Sequence, residues 1–415
     1  MADDISITLL NPHADDFIKT PVSFRLAGRR GLAKYSYMLD EPLRNGQVVN
    51  ILIDGTLSSL INQSLFNRLP SWMRGLILRI ELLVWLRIND LTGKVSIHWS
   101  PDSIPDRTTL YLTSYKNCVG AFDKRKAYIE LFKFKVINLS HYFILTAEKA
   151  ANISSLTGVI FTSEADLRQN PYFSKYFSAD ALFLVLPFTV SSRFHAVKPL
   201  ETREKSCVAT GSFHNLYLER PVYYYRDFIK FFGISTYHPI RKLIYDRQTS
   251  LQGQIMCRVF PYRERRSSGR TLSRLMSWLG FDFTQREYFS FDIVELYNNY
   301  VFAVVGEEVS GLPPIGFFEA IACGCVVLGE GTAFYEAVGL QPDVHYLIHN
   351  GTIEGILATM ERVLRDPETL ARISAAAQTY VEAHCRSAAV WKKLQGDLRP
   401  MIRNGGHESQ RIDLD

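Results

Sequence analysis

The chain has 415 residues, of which 47% are hydrophobic and 13% aromatic, and this composition excludes an extended disordered or a collagen-like protein. Its 47 Lys and Arg against 42 Asp and Glu give a net charge of +5, which over this length does not indicate nucleic-acid binding. At roughly 150 residues per domain, the length predicts two or three domains.

The first half of the chain alternates between short apolar runs and helical patterns. Continuous apolar runs that end in turn signals are typical of buried parallel strands. Such runs cover residues 48–55, 135–141, 158–163 and 181–187, and helical patterns cover residues 65–88 and 147–154. Strands that alternate with helices predict a parallel sheet with helices on both faces.

The apolar segment from Trp72 to Ile88 contains arginines and has aromatic residues towards both ends. One interpretation is a core helix of the first domain. The other is a helix that lies in a membrane interface, with its arginines reaching the headgroups. The sequence leaves both open, and a lipid-linked substrate would favour the second.

A second alternating section follows a polar segment at 195–205, which we interpret as a linker. Strands are expected at 207–212, 300–306 and 325–328, with a helix at 315–322, and the chain is strongly helical after residue 354. The prediction is an α/β protein with two Rossmann-like domains, 1–195 and 205–385, separated by a cleft. Residues 386–415 are expected to form a C-terminal helix and a disordered tail.

Targeting and metal-binding signals are weak. The six cysteines follow no zinc spacing, and we expect them to be reduced residues of a cytoplasmic protein. The acidic N-terminus predicts no signal peptide, and no uncharged apolar run reaches the roughly 18 residues of a transmembrane helix.

Residues 305–330 have the features of a site for anions and hydroxyl groups. A predicted strand ends there in a loop rich in Gly and Pro, which a helix follows. The segment contains three acids near the predicted loop and helix start: Glu307, Glu308 and Glu319. Loop amides and a helix N-terminus favour a diphosphate, and carboxylates accept hydrogen bonds from sugar hydroxyls. An acid at this place can equally act as a helix cap.

The sequence GFFEAIACGCVVLGEG at 316–331 resembles the nucleotide-sugar segment of GT-B glycosyltransferases of the family-4-like group (glycosyl transferases group 1), with some exostosin-like character. Glu319 matches the acid that binds the donor ribose in that group, and Gly316 matches a small position beside the nucleotide. The usual partner acid stands eight residues earlier, where this chain has Gly311. CVATGSF at 207–213 is similar to the first strand and phosphate-facing turn of the second domain.

The resemblance implies a glycosyltransferase that moves a sugar from a nucleotide-activated donor to a glycan or lipid-linked acceptor. It further implies retention of configuration, no cofactor and no metal ion, a role in cell-surface polysaccharide or glycoconjugate synthesis, and a location in the cytoplasm or on the inner face of the membrane. Residues 1–195 would hold the acceptor and residues 205–385 the donor. The implied donor-binding residues are Gly211, Ser212, His238, Arg241, Gly316 and Glu319, and the candidate catalytic residues are His141 and Glu308.

The candidate base His141 lies one residue beyond an apolar strand, in VINLSHYFILT, which resembles the strand that delivers a cleft histidine. A neutral imidazole there could accept a proton from an acceptor hydroxyl. A core histidine is the alternative interpretation. Asp54, at the end of its own predicted strand, is a competing base unless it caps a helix.

Two basic segments suggest contacts with phosphate. His238 and Pro239 precede Arg241 at a predicted helix start, which fits an anion site. A His-Pro pair also occurs in transferases that use CMP-sugars, so a CMP-sugar donor is an alternative. The segment from Arg258 to Arg274 could bind pyrophosphate or be a solvated loop.

Two further functions stay open at this stage. One is a sugar-nucleotide epimerase of the GT-B fold. The other is a catalytically degenerate scaffold in a polysaccharide-assembly complex. The replacement of the partner acid by Gly311 favours this alternative.

Overall fold

The computed structural model describes residues 5–10, 37–53, 70–113, 122–139, 145–214, 230–234, 236–262 and 290–403. Within these ranges the chain forms two parallel β-sheets with helices packed against them. The α/β architecture predicted from alternating strands and helices is therefore confirmed.

The first sheet has seven parallel strands in the order β3-β2-β1-β4-β5-β6-β7. The strands are β1 (Thr8–Leu10), β2 (Val49–Leu52), β3 (Val95–His98), β4 (Thr109–Leu112), β5 (Phe134–Asn138), β6 (Val159–Ser163) and β7 (Leu182–Val185). In the central strand, Leu9 is in register with Ile51 of β2 and with Tyr111 of β4. All three residues of β1 are buried, as expected for a strand covered on both faces.

Four helices accompany this sheet. They are α1 (Tyr37–Arg44), α2 (Ser71–Ile88), α3 (Phe122–Ile129) and α4 (Ala147–Ser154). Thr146 caps α4 by accepting a hydrogen bond from the backbone N–H of Lys149, and this helix has the predicted bounds. None of the helices in the described ranges is long and apolar enough to span a bilayer.

The second sheet has five parallel strands in the order β12-β11-β10-β8-β9. They are β8 (Glu204–Phe213), β9 (Ile255–Pro261), β10 (Tyr300–Val304), β11 (Val326–Gly329) and β12 (Leu347–Ile348). Val304 is in register with Ala209 of β8 and Leu328 of β11. Strands β10 and β11 therefore end together at one edge of the sheet, and β8 continues beyond them to Phe213.

The helices of the second half precede and follow these strands. They are α5 (Pro239–Asp246), α6 (Ile293–Asn299), α7 (Ile315–Ala322), α8 (Ala333–Ala337), α9 (Ile353–Leu364), α10 (Pro367–His384) and α11 (Ser387–Arg403). Helix α7 has the predicted bounds. Helix α10 begins at Pro367, and the Asp366 side chain accepts a hydrogen bond from the backbone N–H of Thr369 at 3.0 Å.

The last helix, α11, returns to the first sheet. Trp391 and Leu394 are buried among apolar side chains of that sheet. The Gln395 side chain accepts a hydrogen bond from the backbone N–H of Ile5 at 2.8 Å. The C-terminal helix therefore closes over the half of the chain that contains the N-terminus, and residues 404–415 lie outside the described residues.

Several strands were not expected from the sequence. These are β1, β3, β4, β9 and β12, each of which is short or interrupted by polar residues. Strand β9 also corrects the start of the basic segment 258–274, because Arg258 lies inside a strand and not in a loop. Residues 263–274 of that segment lie outside the described residues. The bounds predicted for the two domains stay a prediction.

Candidate functional site

Arg241 joins the carboxyl ends of two strands in the second sheet. Its Nε donates hydrogen bonds to the carbonyl oxygens of Val305 and Gly306, both at 3.0 Å, directly after β10. Its Nη1 donates to the carbonyl oxygen of Ser212 at 2.8 Å, near the end of β8. The guanidinium, a planar group with several donors, thus fixes the edge where the two strands end.

Two glycines leave the space that the Arg241 side chain fills. Gly211 has a φ of +125°, and a Cβ there would lie 2.9 Å from the guanidinium. Gly306 has a φ of +33°, and a Cβ there would lie 3.0 Å from Arg241 Cγ. Larger residues would therefore be strained at both positions and would press against the arginine.

The loop after β10 begins with the buried carboxylate of Glu307. Its Oε1 accepts hydrogen bonds from the Glu330 backbone N–H at 2.8 Å and from the Tyr335 hydroxyl. Its Oε2 is buried and has no hydrogen-bond partner within the described part of the chain. Glu307 therefore ties the ends of β10 and β11 to α8 while one of its oxygens stays available.

Two carboxyl groups at this edge are harder to ionise than ordinary glutamates. Burial raises the pKa of Glu307, although hydrogen bonds from Tyr335 and Glu330 oppose this effect. Burial and the charge of Glu307 together raise the pKa of Glu330 to about 7. A carboxyl group with such a pKa can hold or release a proton near neutral pH.

The next acid in the loop, Glu308, is held by Tyr237, two residues before α5. Its Oε2 accepts a hydrogen bond from the Tyr237 hydroxyl, and the backbone N–H of Val309 donates to the Tyr237 carbonyl at 2.9 Å. Gly311 has a φ of +82°, and a Cβ there would lie 2.7 Å from Thr332 Cγ2. An acid could not stand at position 311 without strain, whereas Glu308 is half-buried in the same loop.

Two histidines lie beside Arg241. His238 immediately precedes Pro239, which begins α5 as predicted, and its ring stacks on that of His214 with centroids 6.1 Å apart. His214 also packs on Tyr262, with centroids 4.2 Å apart. Burial, followed by the charge of Arg241, lowers the pKa of both histidines, that of His214 to about 4. Both rings are therefore neutral at pH 7.

Helix α7 brings Gly316 and Glu319 into this part of the molecule. A Cβ at Gly316 would lie 2.8 Å from Val305 Cγ1, so the glycine lets the helix approach the end of β10. Glu319 is 7% exposed and lies beyond the first helical turn, which contains no acidic residue. It therefore does not cap the helix. Among the described residues, no side chain caps the N-terminus of α7 either, so its first amides are suited to an anion.

The carboxyl ends of the two sheets meet through aromatic side chains. Phe188 follows β7, Phe318 lies in α7, and their ring centroids are 5.8 Å apart. On the side of the first sheet, a small cavity lies next to Phe188, at the ends of β5, β6 and β7. It is lined by Tyr37, Asn138, Thr162, Ser163, Glu164, Leu186, Pro187, Phe188 and Thr189. Glu319 follows Phe318 directly in α7 and is buried.

The structure places most of the predicted donor residues at one sheet edge. Gly211, Ser212 and Arg241 are in direct contact. Glu308 lies in the loop after β10, Gly316 and Glu319 lie in α7, and His238 immediately precedes α5. His141 and the competing base Asp54 lie outside the described residues. No cluster that could hold a metal ion occurs among the residues that are described.

Sequence reasoning missed several side chains of this site. Glu330 stands between two glycines directly after a strand, and this place could have singled it out. Tyr237, Tyr335 and His214 carry no such signal. Their roles depend on hydrogen bonds or ring contacts with residues far away in the sequence.

A family model described as glycosyl transferase-like matches residues 278–396 of the chain. This range includes α6, the loop after β10, α7 and both acids Glu308 and Glu319. No curated protein sequence matches the chain.

Solved structures with a similar fold cover nearly the whole chain. HepE from Anabaena, in complex with UDP-glucose, has a TM-score of 0.51 and 10% identity over 95% of this chain and 99% of that one. Sucrose-phosphate synthase from Thermosynechococcus elongatus has a TM-score of 0.51 and 11% identity over 96% and 99%. The lipopolysaccharide outer core galactosyltransferase WaaB in its apo form has a TM-score of 0.50 and 11% identity over 95% and 99%. The predicted resemblance is therefore confirmed, and the chain has the GT-B fold with a glycosyl transferase-like domain in its second half.

Proposed function

We propose that this glycosyltransferase moves a sugar from a nucleotide-activated donor to a glycan or lipid-linked acceptor, with the donor bound by the second sheet. The observation that carries the proposal is the position of Glu319. This acid is buried in α7 immediately after Phe318, whose ring contacts Phe188 of the first half. A buried acid next to a residue at which the two halves meet fits a ligand that presents hydroxyl groups.

The donor would lie along the carboxyl edge of β8, β10 and β11. Its ribose hydroxyls would donate hydrogen bonds to Glu319, and its diphosphate would face the uncapped N-terminus of α7. Glu308, which Tyr237 holds in the loop after β10, would accept hydrogen bonds from the transferred sugar. A UDP-sugar is the first donor to test, because the HepE structure with the same fold contains UDP-glucose.

We further propose that the transfer retains the anomeric configuration and needs no metal ion. The negative charge that develops on the leaving diphosphate would be stabilised by backbone amides and by the cation Arg241 behind them. Arg241 would act mainly by fixing these backbone groups, since its Nε and Nη1 donate to carbonyl oxygens. Preorganised groups of this kind need not move during the reaction.

The acceptor would approach from the first sheet. The small cavity beside Phe188 is lined by neutral hydrogen-bonding groups and one acid, Glu164, which suit the hydroxyl groups of an acceptor. His141 stays our candidate for the residue that receives the proton of that hydroxyl. A role in cell-surface glycan or glycoconjugate synthesis, at the inner face of the membrane, would suit a lipid-linked acceptor.

A donor panel tests the proposal. The purified chain is incubated with UDP-, GDP- and CMP-sugars, and release of the nucleotide is measured together with the product formed. We expect slow hydrolysis of one class of donor, which Glu319→Gln reduces. Release of an epimer would instead indicate the epimerase. If the chain neither turns over nor binds any of these nucleotides, the proposal is contradicted and the scaffold is favoured.

A further inference from the structure

One face of α2 exposes large apolar side chains to solvent. The exposed fraction is 69% for Trp72 and 61% for Leu83, and three more apolar residues of the helix are exposed with them: Leu76, Ile80 and Val84. At about 100° per residue these positions fall within one face roughly 140° wide. Five exposed large apolar residues on one helix exceed the isolated examples that a soluble surface normally shows.

The opposite face of α2 is an ordinary core face. Leu78, Leu82 and Trp85 are each at most 3% exposed and pack against the apolar side chains of the first sheet. The exposed apolar side chains are therefore not needed to hold the helix on the sheet. The core interpretation is therefore confirmed for this face, and the interfacial interpretation concerns the exposed one.

A second helix of the same length provides a comparison within the molecule. Helices α2 and α10 each have 18 residues. The apolar side chains of α10, among them Leu370, Ile373 and Val381, are buried. None of the large apolar side chains that are exposed in the described residues belongs to α10. The apolar surface of α2 is therefore specific to this helix.

Arginines lie among the exposed apolar residues of α2. Arg79 and Arg87 are both exposed and project from the same face, between positions occupied by apolar side chains. The Arg79 guanidinium lies 4.7 Å from the ring centroid of Trp99, which is itself 39% exposed. The described side chains of this face include no carboxylate. We call the set of Trp72, Leu76, Arg79, Ile80, Leu83, Val84, Arg87 and Trp99 the α2 face.

We propose that the α2 face binds the protein to a lipid surface that carries anionic headgroups. Apolar side chains would enter the interface, tryptophans would lie at the headgroup level, and the arginines would pair with lipid phosphates. A symmetric contact with a second copy of the chain fits less well, because it would bring Arg79 and Arg87 of both copies together.

Binding to the membrane through this face would also orient the enzyme towards a lipid-linked acceptor. Trp99 directly follows β3, so the α2 face extends to the carboxyl end of an edge strand in the first sheet. The cavity at which we place the acceptor lies further along the carboxyl ends of the same sheet, at β5, β6 and β7. This use of the surface rests on the proposed function, whereas binding to lipid can be measured without donor or acceptor.

Flotation with vesicles tests the proposal on the full chain. Vesicles of phosphatidylcholine alone are compared with vesicles of phosphatidylcholine and phosphatidylglycerol in equal parts, at low and at high salt. We expect flotation with the anionic vesicles only, weakened by salt. The double variant Leu76→Gln with Leu83→Gln should weaken binding about tenfold, since it removes two apolar side chains from the interface.

Matched control variants separate this surface from general effects. Val197→Gln changes an apolar residue that is 61% exposed, as Leu83 is, but lies away from α2, and it should bind as the unmodified chain does. Arg79→Gln with Arg87→Gln should lower binding by about fivefold for each arginine, whereas Arg365→Gln, directly after α9, should not. Thermal melting of each variant checks that it is folded.

Three results would overturn the proposal. The first is that the unmodified chain does not float with anionic vesicles, or floats equally with neutral ones. The second is that the α2 variants bind as the controls do. The third is a concentration-dependent dimer in solution that the same variants abolish, which would assign the surface to a second copy. Failure of the donor panel would leave all three measurements valid.

Discussion

The two sheets present different chemistry at their carboxyl edges. In the described part of the first edge, Tyr111, Asn138 and Thr162 form a neutral hydrogen-bond network beside the small cavity, whose lining contains one acid, Glu164. The second edge contains more buried ionisable side chains, namely those of Arg241, Glu307 and Glu319. Since burying a charge is far more costly than burying a neutral polar group, the second edge has the composition expected where an ionic or highly polar ligand binds.

The charges of the second edge are also held differently from those on the surface. Arg241 donates to three backbone carbonyls, and Glu307 accepts from a backbone amide and from Tyr335. Such groups keep their positions when a ligand arrives. The comparison therefore supports our proposal that the donor lies at the second edge and the acceptor at the first, which we call the neutral edge after its hydrogen-bond network.

The largest effect on stability is expected from Arg241→Met. The substitution leaves the carbonyl oxygens of Ser212, Val305 and Gly306 without their donor, and these groups are buried at the end of the sheet. We expect a loss of about 3–5 kcal/mol of unfolding free energy, because each unpaired buried group costs about 1–3 kcal/mol. Urea denaturation measures the change.

Arg365→Met provides the matched control for this prediction. Arg365 is exposed and makes one long ion pair, at 3.7 Å, with Glu361. Its loss should change the unfolding free energy by less than about 0.5 kcal/mol. If the two substitutions changed the unfolding free energy equally, the hydrogen bonds of Arg241 to backbone carbonyls would add no more stability than the exposed ion pair of Arg365.

Glu319→Gln is expected to have the largest effect on donor use. The amide keeps the size of the side chain but loses the charge, so hydrogen bonds from ribose hydroxyls weaken. A loss of about ten- to hundredfold in kcat/KM corresponds to one or two charge-assisted hydrogen bonds. The exposed acid Glu361, substituted in the same way, should leave turnover unchanged. Unaltered donor binding in Glu319→Gln would show that this acid does not contact the donor.

Glu330 at the second edge should make the stability of the protein depend on pH. Its pKa is raised to about 7, whereas the ordinary value is 4.5, so the folded state holds this proton more tightly than the unfolded state does. The resulting contribution to stability is complete below pH 4.5 and is lost as the pH rises through about 7. Glu330→Gln removes this dependence, so the variant should gain stability relative to the unmodified chain over that interval.

His214 gives the opposite slope over an overlapping interval. Its pKa is lowered to about 4 from the ordinary 6.5, so its contribution is present above pH 6.5 and lost as the pH falls towards 4. The two slopes partly cancel in the unmodified chain, and Glu330→Gln should expose that of the histidine. Melting temperatures recorded between these pH values check this. If the melting temperatures of the unmodified chain and of Glu330→Gln changed in parallel with pH, the pKa of Glu330 would not be raised by burial beside Glu307.

The fold could be predicted where a strand is one continuous apolar run. This holds for β5 and β10, and the bounds of α4 and α7 were predicted correctly. Strand β1 lies at the centre of the first sheet but has only three residues, which is too short to give a periodic signal. Strand β9 was missed because its arginine gave the segment the character of a basic loop.

The candidate site could be predicted only in part, for a related reason. Loop acids and glycines after strands are visible in the sequence, and they led to Glu308, Glu319 and Gly211. The partners of these residues are not visible, because Tyr237 and Tyr335 come from elements distant in sequence. The sequence also suggested Arg241 as a cation for phosphate, whereas the structure shows its donors directed at backbone carbonyls.

The smallest effect is expected at the neutral edge, from Tyr111→Phe. The Tyr111 hydroxyl lies 3.2 Å from Thr162 Oγ1 and accepts a hydrogen bond from Asn138 Nδ2 at 3.2 Å. Removing it leaves three neutral groups, those of Thr162, Asn138 and Tyr37, short of one partner each, which should cost about 1–2 kcal/mol of unfolding free energy. Donor hydrolysis in the absence of acceptor should be unchanged, while transfer to an acceptor should decrease if that network shapes the acceptor cavity. A loss of donor hydrolysis equal to that of Glu319→Gln would mean that the two sheet edges act on the same ligand, and the division between them would fail.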